Sequence, residues 1–283
     1  MSSPRSRYAP DGAPDYSHRF HAGNVGDVWK HCALLETLRR ATATSAQVHF
    51  VDTHAGEGQY DLAPTGEWSE GIGRLWSAQD LGDSAVGRYL ALCRSLGAGG
   101  VRPERYPGSP LLARAAFGAD ATVTLWERDV HAFERLETHV PADARTRLVC
   151  GDGLAALESL TQATVVLVDP PWTQKADWTV APEAIVHAAQ RLPHACLLIW
   201  YPVKSLTRPN AMHARLEAAG VPAVIAELVT TSLKHQRNRL NGSGVLLVRP
   251  PGGTLEALAA AAPVIGRCCA TRAGAWSFRM HAW

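Results

Sequence analysis

VVLVDPPW (165–172) sets four apolar residues in front of an aspartate, two prolines and an indole. Consecutive apolar β-formers read as a strand covered on both faces, which puts Asp169 at its carboxyl end. Each proline fixes its own φ, and Pro171 also restricts Pro170, so the chain after the strand is stiff. A carboxylate at Asp169 and the Pro170 carbonyl, held rigid beside Trp172, can accept the N–H bonds of an exocyclic amine while the indole stacks on its planar base. The same tetrapeptide can also simply end a strand, because proline commonly occupies turns.

Other strand ends supply groups of the same kind. In DTHAGEGQY (52–60), Asp52, His54, Gly56 and Gly58 fall on alternate residues, and the glycines allow a tight turn whose backbone can approach a ligand. TVTLWE closes on Glu127, an acid placed to accept from ribose hydroxyls as in nucleotide-binding α/β folds. CGDGL brings Asp152 and Gly153 to a third strand end, where the carboxylate could meet an adenine amine and the glycine could admit its ring. Taken singly, each reads as a tight turn or a solvated acid. As a set they predict an adenosine-containing cofactor.

The elements that must position these groups follow from periodicity. Seven β-rich runs recur: QVHFVD (47–52), TVTLWE (122–127), RLVC (147–150), TVVLVD (164–169), ACLLIWY (195–201), AVIAELV (223–229) and GVLLVR (244–249). Helical segments such as EAIVHAAQRL and RLEAA lie between them, so the class is α/β, a seven-stranded, mostly parallel sheet with helices on both faces. NVGDVWKHCALLETLRR predicts a first helix from an Asn24 N-cap to about Arg40. Roughly 70 residues separate Asp52 from Thr122, too many for a simple crossover. An inserted small helical subdomain is therefore expected over about residues 62–105, with EWSEGIGRLWSAQ and SAVGRYLALCRSL as its helices. YPGSPLLARAAF then reads as the crossover helix, and residues 253–265 as an alanine-rich helix. Residues 1–15, rich in Ser, Pro, Gly and Arg, are expected to form a flexible leader before a single domain, 16–283.

Bulk properties narrow the classes. A chain of 283 residues with 46% hydrophobic composition can fill a large core, and a net charge of +2 does not by itself announce a nucleic-acid binder. Local basic groups do: Lys234, Arg237 and Arg239 near one end, Arg5, Arg7 and Arg19 near the other, suit phosphate contact as a set. Six scattered cysteines without CxxC spacing are expected to be reduced, and no apolar run spans a bilayer, so a cytoplasmic protein is expected, with no membrane partner. Twelve histidines show no zinc spacing, so no metal is expected.

Asp169-Pro170-Pro171-Trp172 resembles the Asn/Asp-Pro-Pro-aromatic motif of amino-methylating class I methyltransferases, enzymes with a Rossmann-like fold that use S-adenosylmethionine. YSHRFHAGNVGDVWKH (16–31), VDTHAGEGQY (51–60), YPGSPLLAR (106–114) and IWYPV (199–203) resemble, in order, the 23S rRNA adenine-N6 methyltransferase family RlmJ. The resemblance covers essentially everything after residue 15. It implies methylation of one adenine, adenine 2030 in the family, within naked or incompletely assembled 23S rRNA; a monomer is expected, its insertion lining the RNA entrance. It implies cofactor contacts at His31, His54, Ser109, Glu127, Asp152 and Gly153, a catalytic place for Asp169 with Pro170 and Trp172, and an RNA contact at Tyr16. Lys30 falls beside His31, near substrate or cofactor, and His18 and His21 stand in a second rank.

This chain departs from the family pattern in having Trp172 for a tyrosine, YSHRF where relatives more often have YRHSF, and an extra leader. Two other classes compete: a nicotinamide dehydrogenase, which would need a complete GxGxxG where DTHAGEG stands, and a catalytically silent RNA-binding module. Within methyltransferases, a DNA adenine enzyme shares the tetrapeptide.

Overall fold

A computed structural model describes residues 20–45, 47–97, 100–117, 121–233 and 240–283. Its spine is an eight-stranded sheet of β1 (His49–Asp52), β4 (Thr122–Glu127), β5 (Thr146–Cys150), β6 (Val165–Val168), β7 (Cys196–Val203), β8 (Val224–Val229), β9 (Gly242–Val248) and β10 (Ser277–Ala282). The order across the sheet is β10-β8-β9-β7-β6-β1-β4-β5. From β5 to β7 all neighbours are parallel, whereas β9 runs antiparallel between β7 and β8, and β10 antiparallel on β8. The seven expected strands are present. β10 is an addition at the edge, and β2 (Gln59–Asp61) pairs with β3 (Arg105–Pro107) in a separate two-stranded sheet.

Alternation along the strands divides the apolar residues between two cores. Val165 and Leu167 of β6 face one layer with Phe50, Leu125, Leu198 and Leu247, while Val166 and Val168 face the other with Val51, Leu197, Ile199 and Leu246. The first layer is covered by α1 (Val25–Thr44), α3 (Ala85–Gly97), α4 (Ser109–Ala116) and α9 (Thr254–Cys269). The second is covered by α6 (Gly153–Leu157), α7 (Asp177–Arg191) and α8 (Thr207–Ala218). α5 (Val130–His139) follows β4 and packs near β4 and β5.

α1 starts where the sequence places it, with the Asn24 side chain accepting from Asp27 N–H. Fifteen of its 20 residues are buried, since sheet, α3, α4 and α9 surround it, so every charged group on those turns must find a partner inside. Between β2 and β3, EWSEGIGRLW forms a 3-10 turn (Glu67–Glu70) and the short α2 (Ile72–Leu75) in place of one long helix. Gly71 separates the two at a backbone crossing: a Cβ there would stand 2.2 Å from Gly23 O. Arg74 ties the segment to the far end of α9 through Cys269 O and Ala270 O.

Candidate active site

The strand order reverses at β1, where the chain first moves outward through β4 to β5 and then returns to β6 on the other side. Ligands of open α/β sheets bind outside the carboxyl ends of strands at such a switch point. The polar strand ends meet there. Gly56 N–H donates to Glu127 Oε2 at 2.8 Å, Gly108 N–H to Gly58 O at 2.8 Å, and Ser109 Oγ to Asp52 Oδ2 at 2.6 Å. Gly56 holds φ +61, and a Cβ on it would lie 2.1 Å from Tyr60 Oη, so glycine is required by both torsion and space.

Asp169 follows β6 and reaches the same edge, with 13% of its side chain exposed. Lys30, from the second turn of α1, places Nζ 2.6 Å from Asp169 Oδ2 and 2.8 Å from Asp27 Oδ1. The ring of Trp200, within β7, lies 5.4 Å from the same nitrogen. Burial alone would discharge this lysine, but Asp169 and then Asp27 outweigh it and hold the pKa above the ordinary lysine value. Burial raises Asp52 to about 7 against the hydrogen bonds from Ser109 and His54 N–H, with Asp169 adding to the rise. It pushes His54 down to about 3, helped by Arg128 and Lys30, so that imidazole is neutral; its Nδ1 lies 2.7 Å from Thr53 Oγ1. Glu127 is also raised, by burial, while accepting from Asp129 N–H and Gly56 N–H.

Of the expected residues, Ser109, Glu127 and Asp169 meet at this edge with Asp52, while others hold roles the sequence did not suggest. Asp152 Oδ1 accepts from Leu154 and Ala155 N–H and caps α6. Gly153 is a packing requirement, since a Cβ would lie 2.0 Å from Thr53 O. His31 is buried, with Nδ1 2.7 Å from Tyr106 Oη, and Tyr106 in turn meets Tyr89 Oη at 2.9 Å. Lys30 is fully engaged by two carboxylates and stands behind Asp169. Pro170 is buried. Trp172 is only 4% exposed, at φ +54, with Nε1–H donated to Trp200 O at 2.9 Å and its ring 4.4 Å from that of Trp178. The broad stacking face expected from the sequence is covered in this conformation. Tyr16, His18, Arg5, Arg7, Arg19, Lys234, Arg237 and Arg239 lie outside the described residues. His21 pairs with Glu67 Oε2 at 2.9 Å, which raises its pKa.

Asp27 and Trp200 escaped the sequence reading. Asp52, named there as the end of the first strand, was given no role of its own; it is the last residue of β1 and accepts from Ser109 Oγ. Asp27 shows only an ordinary i,i+3 spacing to Lys30. Among the described residues no group of three or more His, Cys, Asp or Glu could hold a metal ion, and no helix is long and apolar enough to cross a membrane. A cavity of about 500 Å³ lined by Gln47, His49, Thr122, Gln162 and His194 opens at the amino ends of the strands, away from this edge.

Five parallel strands in this order, an antiparallel strand inserted beside the sixth, and acids on the strand ends define a class I methyltransferase fold. Within it, the chain belongs to the family described as RsmJ, ribosomal RNA large subunit methyltransferase D, RlmJ, whose model matches residues 45–282. It is 32% identical over 251 residues to ribosomal RNA large subunit methyltransferase J of Haemophilus influenzae, covering 85% of this chain and 88% of that protein. To the Escherichia coli K12 protein of the same name it is 29% identical over 245 residues, 83% and 87% of the two chains. A crystal structure of a protein from Legionella pneumophila shares the fold with a TM-score of 0.84 at 23% identity, covering 93% of this chain and 98% of that one.

Proposed function

We propose that this protein methylates the exocyclic N6 of a single adenine in 23S rRNA, using S-adenosylmethionine. The observation that carries the reading is Asp169, reachable from solvent at the sheet edge and fixed from inside by Lys30 at 2.6 Å. The acceptors and donors at the neighbouring strand ends suit the cofactor chemically. Glu127 offers a carboxylate for ribose hydroxyls, and Asp52, Ser109, His54 and His31 offer polar groups for an amino acid moiety, with Asp152 and Gly153 beside the base. Bound S-adenosylmethionine supplies an electrophilic methyl on a sulfonium, whose S–C bond breaks as N6 forms its new N–C bond.

The N6 lone pair is delocalised into the adenine ring, and the site must localise it. Asp169 and the Pro170 carbonyl accept the two N–H bonds and favour a pyramidal nitrogen, a positioning and electrostatic contribution. Early deprotonation is not required. Once methylated, the nitrogen is strongly acidic, so even a carboxylate tied to an ammonium can take its proton. The RNA must present the base unpaired or pay a few kcal/mol to flip it. Tyr16 and the basic groups near both ends are its proposed contacts. The helical insertion, about residues 62–105, lines its entrance in this reading, since Glu67 reaches His21 and Asn24 just before α1.

The test is transfer of labelled methyl to undermodified 23S rRNA, with nucleoside analysis for N6-methyladenosine. Asp169→Ala should lower kcat about 100-fold or more, with calorimetric cofactor affinity retained. Label appearing only on DNA or protein would overturn the substrate assignment.

A further inference from the structure

Lys30 carries one positive charge between two carboxylates, and only one of them, Asp169, faces the proposed substrate. Asp27 is buried in the first turn of α1, with Oδ2 accepting from Gly23 N–H at 2.9 Å and Oδ1 from Lys30 Nζ at 2.8 Å. Its own N–H donates to Asn24 Oδ1 at 3.0 Å, and Asn24 Nδ2 donates to Glu67 Oε2 at 2.9 Å. Hydrogen bonds therefore run without a break from the 3-10 turn between β2 and β3 through Asn24, Asp27 and Lys30 to Asp169. From the other side Trp200, anchored by Nε1–H to Ser243 Oγ at 2.6 Å, lies beside the ammonium.

We infer that Asp27 is a positioning residue for methyl transfer, the counter-ion that keeps Lys30 charged and clamped on Asp169 while Asp169 carries the proton from N6. The inference rests on the proposed reaction. When Asp169 is protonated, Lys30 loses that counter-charge in a site where an isolated ammonium is strongly disfavoured. Asp27 does not face the substrate, and its charge persists through the cycle. The other groups near Lys30 are poorer partners: Asp52, the last residue of β1, is held protonated up to about pH 7 by burial and its Oδ2 accepts from Ser109 Oγ, His54 beyond it is neutral, burial keeps the Tyr60 phenol on β2 un-ionised, and Trp200 on β7 carries no charge. A lesser role is open to Asp27, as an acid that only binds Gly23 N–H and favours the start of α1.

Asp169→Asn imitates the protonated carboxyl, and its readout needs no catalysis. In that variant the Lys30 Nζ resonance, assigned by its loss in Lys30→Arg, should remain that of an ammonium at neutral pH. A neutral amine there would overturn the inference. In Asp27→Asn, kcat should fall about 10-fold or more while KM for RNA changes less than about threefold, and the alkaline limb of activity should move down by about one to three pH units. Asp27→Glu, which keeps the charge, should restore the limb. Equal losses of melting temperature in both variants, with kcat and pH profile unchanged, would leave only the helix-start role and overturn the proposal. If the wild type moves no methyl to rRNA, the functional reading fails on its own, whatever the resonance shows.

Discussion

α1 carries two buried ionic clusters within two turns of each other, and they are built in opposite senses. In one, the Glu36 carboxylate, 1% exposed, collects Arg39, Arg40 and Arg88, each of whose side chains reaches solvent. In the other, one buried ammonium serves Asp27 and Asp169. A single acid among three arginines has spare partners, and water shares the load; burial would raise Glu36, yet bonds from Arg39, Arg88 and Arg40 bring it to about 2. One lysine between two acids has none to spare. The first arrangement fastens α3 to α1 through Arg88, and the second sets the Asp169 carboxylate against an ammonium at the sheet edge. The lesson is that redundancy separates a structural ion cluster from one that must respond to a ligand.

Lys30→Met should therefore be the most damaging change, leaving two buried acids without a cation. A loss of about 3–5 kcal/mol in urea unfolding is expected, partly recovered when Asp27→Asn is added. Asp52 comes next. Its folded pKa of about 7 stands above the ordinary 3.8, so its contribution to stability is complete at low pH and is lost as pH rises through 7. Asp52→Asn should therefore gain on the wild type from about pH 4 upward and level off above 7, in melting temperatures measured across that range. Glu36→Gln should have the smallest effect, about 1–3 kcal/mol at neutral pH, with methyl transfer intact. Glu36 has the opposite sign: its stabilisation is present above 4.5 and lost as pH falls toward 2, so the variant should flatten the acid limb of unfolding.

Much of this architecture can be read from the chain because its signals are local. Seven strands announce themselves as apolar runs, three of them closing on an acid, Asp52, Glu127 or Asp169, and Asn24 marks the start of α1. β10 does not, because SFRMHA alternates exposed and half-buried residues as an edge strand, with no apolar run. The long helix expected from EWSEGIGRLWSAQ breaks at Gly71, whose φ −110 and ψ −106 are not helical and whose lack of a Cβ admits the Gly23 backbone, a neighbour that no local pattern reveals. In the site, Asp169 and Glu127 are recognisable as strand-end acids. Asp27 and Trp200 matter only because Lys30 meets Asp169, 139 residues away, and Trp172 meets Trp200, 28 residues away, pairings that only folding brings together. Trp172 shows the reverse: its residue type suggested an open stacking face, and packing against Trp178 covers it.

β10 gives the sheet its outer boundary. Without it β8, an almost wholly buried apolar strand, would present unpaired amides and carbonyls along six residues, a template on which another chain could build. β10 takes those bonds and exposes Ser277, Arg279 and His281 in their place. Arg279 also clasps Glu227 at 2.7 Å, so the group that wards off edge-to-edge aggregation is fastened to the strand it shields.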